Sequence, residues 1–129
     1  MTMDARDLRP SVLIVDNDPE IVELIREHLN VSYRTRTASD GAQAIKQFVL
    51  ERDVVLLDLN MPRMNGLEAQ QELQRLDATV PVIMLTGVQD VELLATALRN
   101  GAFSYLPKPY HPVYLMHLLA AALSQGRRS

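Results

Sequence analysis

The apolar residues of this chain gather in short unbroken runs, and stretches with helical spacing lie between the runs. The clearest run is 54–57, which ends at Asp58 and is followed by a loop with Pro62 and Gly66. An apolar run without alternation is typical of a strand buried on both faces, as in a parallel sheet covered by helices. Similar runs end at Asp16 and Thr86, whereas residues 31–37 alternate and predict a half-exposed edge strand.

Predicted strands and helices alternate along the whole sequence. Asp18 and Pro19 predict a helix start, because Asp is a favoured N-cap and Pro suits the first helical position. Gly101 predicts a helix end, since glycine tolerates the left-handed conformation of a C-terminal cap. This alternation favours an α/β fold, a doubly wound five-stranded parallel sheet with helices on both faces. The predicted strands are 12–15, 31–37, 54–58, 81–86 and 103–106, and the predicted helices are 19–29, 39–52, 67–76, 90–99 and 112–123.

The helical spacing also predicts which side chains face the core, because residues three and four apart lie on the same face of a helix. The expected inward residues are Ile21, Leu24, Ile25 and Leu29 in the first helix, Ala44, Ile45, Phe48 and Val49 in the second, Leu73 and Leu76 in the third, and Leu115, Leu118, Leu119 and Ala122 in the last.

The composition narrows the class of protein. With 47% apolar and 22% charged residues the chain is predicted to fold as one soluble domain, and its apolar runs fall short of the ~20 residues that a transmembrane helix needs. A net charge of −3 gives no electrostatic basis for binding nucleic acid. The absence of cysteine excludes disulfides and thiolate chemistry, and residues 1–10 contain no secretory signal, so a cytoplasmic protein is expected. We expect a flexible lead at 1–10, a folded domain at 11–124, and a tail or linker stub at 125–129.

Polar side chains stand at the ends of the predicted strands. Asp16 and Asn17 follow the first strand, Asp58 ends the third, Thr86 the fourth, and Lys108 follows the fifth. The carboxyl ends of parallel strands meet at one edge of the sheet, which is where ligands bind in open α/β sheets. These residues are therefore expected to form one pocket.

The same residues lie in motifs that resemble the receiver domain of two-component response regulators, from about Ser11 to Leu123. The resemblance implies a flavodoxin-like strand order of 2-1-3-4-5 and a cis bond between Lys108 and Pro109. The motifs are VDNDP at 15–19, LLDLNMPRMNG at 56–66, LTG at 85–87, NGA at 100–102 and YLPKP at 105–109.

A carboxylate can attack a phosphoryl group and form an acyl phosphate if nearby cations neutralise the charge. The resemblance implies that Asp58 accepts a phosphoryl group from a histidine kinase or a phosphotransfer protein, and that Thr86 and Lys108 contact that group. It also implies a magnesium ion, Mg²⁺, held by Asp16, the residue at position 17, Asp58 and the backbone carbonyl of Asn60. Such a domain is a phosphoacceptor with intrinsic phosphotransfer and autodephosphorylation chemistry, not an enzyme with a separate substrate.

The resemblance further implies a switch and an output surface. Thr86 and Tyr105 are the switch positions, and the surface of helix 4, strand 5 and helix 5 is expected to respond and to control a partner or output domain. The last helix departs from the family, because it carries Tyr110, Val113, Tyr114 and His117, which we expect on its outside. Exposed aromatic residues favour a partner or homodimer surface here.

Asn17 is the second departure, because the family usually places a metal-ligating acid at this position. An amide oxygen can bind a cation but brings no charge, so weaker Mg²⁺ binding is expected. Two outcomes stay open: phosphorylation with weaker Mg²⁺ dependence, or a degenerate receiver that binds partners without phosphate. A flavodoxin-type electron carrier is disfavoured, because Asp16 and Asp18 would repel a flavin phosphate. A phosphatase with two nucleophilic acids is disfavoured by Asn60.

Overall fold

The computed structural model contains one five-stranded parallel sheet in the order β2-β1-β3-β4-β5, with helices on both faces. This confirms the predicted fold class and strand order. The structure describes residues 8–49, 53–61, 64–87 and 89–126, and at 125–126 only the backbone. The strands are β1 Ser11–Val15, β2 Arg34–Ala38, β3 Asp53–Asp58, β4 Val82–Thr86 and β5 Ser104–Pro107. The helices are α1 Pro19–Leu29, α2 Gly41–Gln47, α3 Gly66–Leu76, α4 Val91–Arg99 and α5 Pro112–Ala121, followed by a π-helical turn at Ala122–Gly126.

Strands β1, β3 and β4 divide their side chains between two apolar clusters, because successive residues of a strand point to opposite faces of the sheet. In β1, Leu13 and Val15 join the cluster under α2, α3 and α4, whereas Val12 and Ile14 join the cluster under α1 and α5. The unbroken apolar runs of the sequence reflect burial on both faces. None of the described helices is long and apolar enough to cross a membrane.

The helix starts follow the local chemistry that the sequence predicts. The side chain of Asp18 accepts a hydrogen bond from the N–H of Glu20 at 3.0 Å, so Asp18 caps α1 as expected. At the start of α3, Asn65 and Glu68 cap each other's backbone reciprocally. After α4, Gly101 adopts a φ of 105°, which confirms the predicted stop.

Several predicted boundaries and core positions are wrong. The edge strand β2 begins at Arg34 and not at position 31, since Ser32 and Tyr33 donate to the carbonyl of Leu29 in a turn. Helix α2 ends at Gln47, well before the predicted end near position 52, because Phe48 is already extended. Residues 51 and 52 lie outside the described part of the chain. Helices α4 and α5 begin and end within two residues of their predicted bounds.

Three residues predicted to face the core are exposed: Leu24, Val49 and Leu76. Helix α1, for example, buries a narrow stripe formed by Ile25 and Leu29, which are four residues apart, and Leu24 lies beside that stripe.

A polar network that the sequence did not predict links β1, β2 and β3 at the amino ends of β1 and β3. In the sequence Asp53 precedes the apolar run 54–57 and so predicts a polar boundary, but it is completely buried as the first residue of β3. It accepts hydrogen bonds from Ser11 of β1, from Arg36 of β2 and from the backbone of Val49. This network lies at the opposite edge from the predicted pocket.

The predicted lead and tail lie mostly outside the described residues. Within them, Arg9 donates to the carbonyl of Asn30 at 2.7 Å, and the carbonyl of Pro10 accepts from the N–H of Arg34 at 2.8 Å. These two bonds tie residues 9 and 10 to the turn after α1 and to β2.

Candidate functional site

Two buried carboxylates and one lysine meet at the carboxyl edge of the sheet. The Nζ atom of Lys108 lies 3.2 Å from Oδ2 of Asp16 and 3.3 Å from Oδ1 of Asp58. Asp16 and Asp58 are 2% and 3% exposed, so both acids are held away from bulk water. Adjacent strands β1 and β3 bring the acids together, and the segment after β5 carries the lysine to them.

The turns after the strands fix the direction of each carboxylate. Oδ1 of Asp16 accepts the N–H of Asp18 at 2.9 Å, and Oδ1 of Asp58 accepts the N–H of Asn60 at 3.1 Å. Among the described residues, Oδ2 of Asp16 has no hydrogen-bond partner beyond its ion pair with Lys108. A buried carboxylate oxygen without a hydrogen bond is an acceptor available to a cation or a water molecule.

Gly66 allows helix α3 to begin directly behind Asp58. Its N–H donates to the carbonyl of Leu59 at 3.0 Å. A Cβ atom on Gly66 would lie only 2.6 Å from the carbonyl oxygen of Asp58 and 2.6 Å from the Cα atom of Leu59. Only glycine therefore fits against this turn without moving the backbone of the site.

The other side of the site is formed by the ends of β4 and β5. Asp58 pairs with Leu85 across the sheet, so Thr86 lies one residue beyond it, and Thr86 is buried. The N–H of Lys108 donates to the carbonyl of Thr86 at 2.8 Å, and the bond between Lys108 and Pro109 is cis, as the family resemblance implied. The backbone thus places Thr86 and Lys108 beside Asp58.

Burial and the neighbouring charges both change the pKa values of Asp58 and Lys108. Burial raises the pKa of Asp58 to about 6, the charge of Asp16 adds to the rise, and the N–H of Asn60 and Lys108 work against it. For Lys108, burial lowers the pKa, but the carboxylates of Asp16 and Asp58 outweigh it, so the pKa is raised. Two carboxylates against one ammonium leave an excess of one negative charge, which an added cation would relieve.

Asn17 directly follows Asp16 in the sequence. It is exposed, and with Asp16 it lines a pocket of about 420 Å³ whose other walls come from α1, β2 and α2. Within the described part of the chain, no three acidic, histidine or cysteine side chains converge on a metal position. Asp16 and Asp58 are the acids that pair with Lys108 at this edge, and Asn60 lies two residues after Asp58 with an exposed side chain.

Of the predicted switch and surface tyrosines, two are exposed and one packs against the core. Tyr105 on β5 is 40% exposed, and Tyr114 on α5 is 44% exposed. Tyr110 is not on the outside as predicted: its ring packs against the cluster under α1 and α5, and its hydroxyl is buried. The reason is its place before α5, where the chain turns back towards the core.

Asp90 was missed as a residue of the site. It was expected to open the fourth helix, but its side chain does not cap α4. It is buried and accepts the N–H of Gly87 at 2.8 Å, which closes the loop directly after Thr86. An acid three residues after a glycine in a short loop is the sequence feature that indicates this turn. The resemblance also implies that a water attacks the phosphoryl group between Asn60 and Val88, and because an apolar Val88 cannot orient that water, slow self-dephosphorylation is expected. Val88 lies outside the described residues.

Five parallel strands in the order 2-1-3-4-5, with two buried acids and a lysine at their carboxyl edge, define a flavodoxin-like receiver fold. A family model described as the response regulator receiver domain matches residues 12–120. The chain belongs to the response regulator receiver domain family.

Similar proteins agree with this assignment. The chain is 37% identical to the probable transcriptional regulator ycf27 of Guillardia theta, over 95% of this chain and 49% of that protein. It is 36% identical to the DNA-binding response regulator MtrA of Mycolicibacterium smegmatis, over 92% of this chain and 53% of that protein. The chain thus spans about half the length of these curated relatives.

Among solved structures, a response regulator receiver domain protein from Clostridium thermocellum superposes with a TM-score of 0.85 at 28% identity, covering 90% of this chain and 95% of that one. The receiver domain of an HD domain-containing protein from Pseudomonas fluorescens gives a TM-score of 0.84 at 28% identity, covering 92% and 97%.

Proposed function

We propose that this domain accepts a phosphoryl group on Asp58 from a histidine kinase or a phosphotransfer protein. The observation that carries the proposal is the ion-paired cluster: Asp58 is buried at the end of β3, with Lys108 at 3.3 Å and Asp16 on the other side of that lysine. A carboxylate in this position has a cation beside it to offset the charge of an incoming phosphoryl group.

The transfer is a displacement at phosphorus by a carboxylate oxygen. A bond forms between an oxygen of Asp58 and phosphorus while the bond from phosphorus to the donor histidine nitrogen breaks, and the product is an acyl phosphate. Among the described residues, both contacts of the Asp58 side chain fall on Oδ1, which leaves Oδ2 as the attacking oxygen. Attack requires the ionised carboxylate. The pKa of Asp58 is raised to about 6, which is still below neutral pH, so most Asp58 side chains are ionised at pH 7.

The remaining residues stabilise the charge on the phosphoryl oxygens. Lys108 supplies an ammonium group that its two carboxylate neighbours keep protonated, and Thr86 supplies a hydroxyl at the adjacent strand end. Their role is to hold a phosphoryl group against Asp58 rather than to transfer protons.

The donor set also fits a hard divalent cation. Oδ2 of Asp16 is a buried acceptor without a hydrogen bond, and Mg²⁺ prefers such oxygen ligands. Asp16, Asp58, the backbone carbonyl of Asn60 and the amide of Asn17 are the groups that would hold it. When bound, Mg²⁺ supplies positive charge at the phosphoryl oxygens. Because Asn17 is neutral and exposed, this chain offers one charge fewer than a site with an acid at that position.

The readout is proposed to pass through Thr86 and Tyr105 to an output face. We define this face by its exposed apolar side chains on α4, β5 and α5: Val91, Leu98, Tyr105, Val113 and Tyr114. Val91 is 70% exposed, and a cluster of this kind marks a protein contact surface. We propose that the output face binds an output domain, a partner or a second copy of this chain. DNA binding, which the name of one relative states, would belong to another part of a longer protein.

Phosphorylation by a small donor tests the proposal without knowing the kinase. Incubation with acetyl phosphate and Mg²⁺ is expected to add the mass of one phosphoryl group to the intact protein. The increase should be absent in Asp58→Asn and reduced when the metal is chelated. A wild-type protein whose mass stays unchanged would contradict the proposal.

A degenerate receiver that binds partners without phosphate is the second candidate, and Asn17 is the observation that favours it. A Mg²⁺ titration separates the two candidates. Changes in the backbone amide resonances of Asp18 and Asn60 with increasing Mg²⁺ support the phosphoacceptor, and the absence of any response supports the degenerate receiver.

A further inference from the structure

The side chain of Tyr110 buries a phenol hydroxyl that the described residues leave without a partner. Tyr110 follows Lys108 by two residues, and its ring packs against the apolar cluster under α1 and α5 together with Ile21 and Val22 of α1. An unpaired buried hydroxyl costs free energy, so groups of this kind usually bind protein or an ordered water molecule. The Tyr110 hydroxyl therefore needs an acceptor.

Asp16 supplies the complementary group. Its Oδ1 atom is occupied by the N–H of Asp18, whereas its buried Oδ2 atom has the ion pair with Lys108 and no hydrogen bond within the described part of the chain. Asp16 is also the charged residue that acts on the phenol: burial first, and then the charge of Asp16, raises the pKa of Tyr110 to about 12. Tyr110 also lies only two residues after Lys108, whose Nζ atom is 3.2 Å from this Oδ2 atom, so the phenol belongs to the segment that reaches Asp16. Neither the hydroxyl nor Oδ2 has a hydrogen bond within the described residues.

Tyr33 shows that this is not a general property of tyrosines in this core. It is buried in the same apolar cluster, and its pKa is raised by burial alone. At Tyr110, by contrast, the charge of Asp16 adds to the effect of burial on the pKa.

We propose that Tyr110 is a positioning residue of the phosphoacceptor site, whose hydroxyl donates to a water molecule that donates in turn to Oδ2 of Asp16. A bridging water satisfies both buried groups, and a hydrogen bond through water is nearly as favourable as a direct one. The bridge would hold the Asp16 carboxylate in one orientation, which sets how well the acids receive a divalent cation. This role rests on the proposed function, because it assumes that Asp16 is a metal ligand.

Two conservative variants of the full chain test the bridge. Tyr110→Phe removes the hydroxyl and keeps the ring, and Tyr33→Phe makes the same change at a buried tyrosine away from the site. The measurements are the carboxyl carbon resonance of Asp16 and the amide resonance of Asp18, first without metal and then during a Mg²⁺ titration.

In the absence of metal, both resonances are expected to shift in Tyr110→Phe and to stay at their wild-type positions in Tyr33→Phe. The dissociation constant for Mg²⁺ should rise about three- to tenfold in Tyr110→Phe, the effect of losing one hydrogen bond of ordinary strength. If the metal-free spectra of the two variants agree at Asp16 and Asp18, the phenol only packs and the proposal is overturned. If the spectrum of the wild-type chain does not change with Mg²⁺, the proposed function is contradicted. The metal-free spectra of the two variants then still test whether Tyr110 contacts Asp16 through its hydroxyl.

Discussion

At the scale of single residues, we expect position 17 to influence how strongly the proposed site binds a cation. Asn17 is exposed on the wall of a pocket beside Asp16, and it contributes an amide where the family usually has an acid. The Coulomb energy between unit charges about 4 Å apart is about 4 kcal/mol in a partly screened site, which sets the upper limit for the missing charge.

Asn17→Asp is expected to lower the dissociation constant for Mg²⁺ about tenfold, which corresponds to about 1.4 kcal/mol. Calorimetric titration with MgCl₂ measures this effect. Asn30→Asp is the matched control, because Asn30 is exposed at the end of α1, where the same change adds a charge far from the site. Equal Mg²⁺ affinities in the two variants would show that position 17 is not a ligand.

The raised pKa of Asp58 predicts a dependence of stability on pH. Its value of about 6 in the folded protein lies above the ordinary 3.8, so the folded state binds this proton more tightly than the unfolded state. The contribution of Asp58 to stability therefore falls as the pH rises from about 4 to 6, and the full cost of the charged form is present above that range.

Asp58→Asn is consequently expected to raise the free energy of unfolding by about 2 kcal/mol at pH 7.5, with the gain shrinking towards pH 4. Urea unfolding in the presence of a chelator measures this difference. Asp40→Asn should show no such gain, because Asp40 is an N-cap where Asn serves equally well. A constant difference between pH 4 and 7.5 would disprove the assigned cause.

The sequence predicted which residues come together at the carboxyl ends of the strands, but it did not predict the surroundings of several other side chains. Asp16, Asp58 and Lys108 follow apolar runs, and parallel topology brings them together. The burial of Tyr110 and the loop contact of Asp90 depend on how the chain turns after a strand, which apolar periodicity does not encode. Asp53 looked like a polar boundary because its partners, Ser11 and Arg36, are distant in sequence.

At the scale of elements, the start of α3 constrains the backbone that follows β3, at Asp58 and Leu59. Gly66 lies against the backbone of Asp58 and Leu59, which cannot move without displacing the acid. Gly41 at the start of α2 is also crowded, but its nearest neighbours are atoms of the flexible Met64 side chain, whose Sδ atom would lie 2.7 Å from a Cβ atom at position 41.

Gly66→Ala is expected to lower the free energy of unfolding by about 2 to 3 kcal/mol, although alanine favours helix by about 1 kcal/mol. Gly41→Ala should cost less than Gly66→Ala, because the atoms that crowd position 41 belong to one side chain and not to the backbone of the site. Denaturant unfolding of both variants measures the difference. Equal losses would mean that the contact with the Asp58 backbone carries no special cost.

The strands were easier to predict than the helix ends. Burial on both faces leaves long apolar runs, so β1, β3 and β4 lie close to their predicted positions. Helix α2 ended early because tertiary contacts draw Phe48 into an extended conformation, a competition that helical spacing alone does not show. Leu24 and Leu76 matched the helical pattern but are exposed, because the spacing alone does not tell how wide the buried stripe of a helix is.

At the scale of the whole molecule, we propose that a small charge change at Asp58 reaches a partner through the output face. Tyr114→Ala is expected to weaken self-association or partner binding at least about tenfold, since exposed tyrosines commonly carry much of the energy of an interface. Sedimentation velocity with and without acetyl phosphate measures the self-association. Val31→Ala is the control, because Val31 is exposed and lies outside the output face. Unchanged association in Tyr114→Ala would exclude this residue from the interface.

The central claim is that Asp58 is the residue that carries the phosphoryl group, and chemical mapping tests it most directly. Borohydride reduces an aspartyl phosphate to homoserine, and peptide mass spectrometry then locates the reduced residue. After treatment with acetyl phosphate and Mg²⁺, homoserine is predicted at position 58 in the wild type and at no position in Asp58→Asn. Homoserine at position 16, or a wild-type chain without any reduced aspartate, would contradict the account.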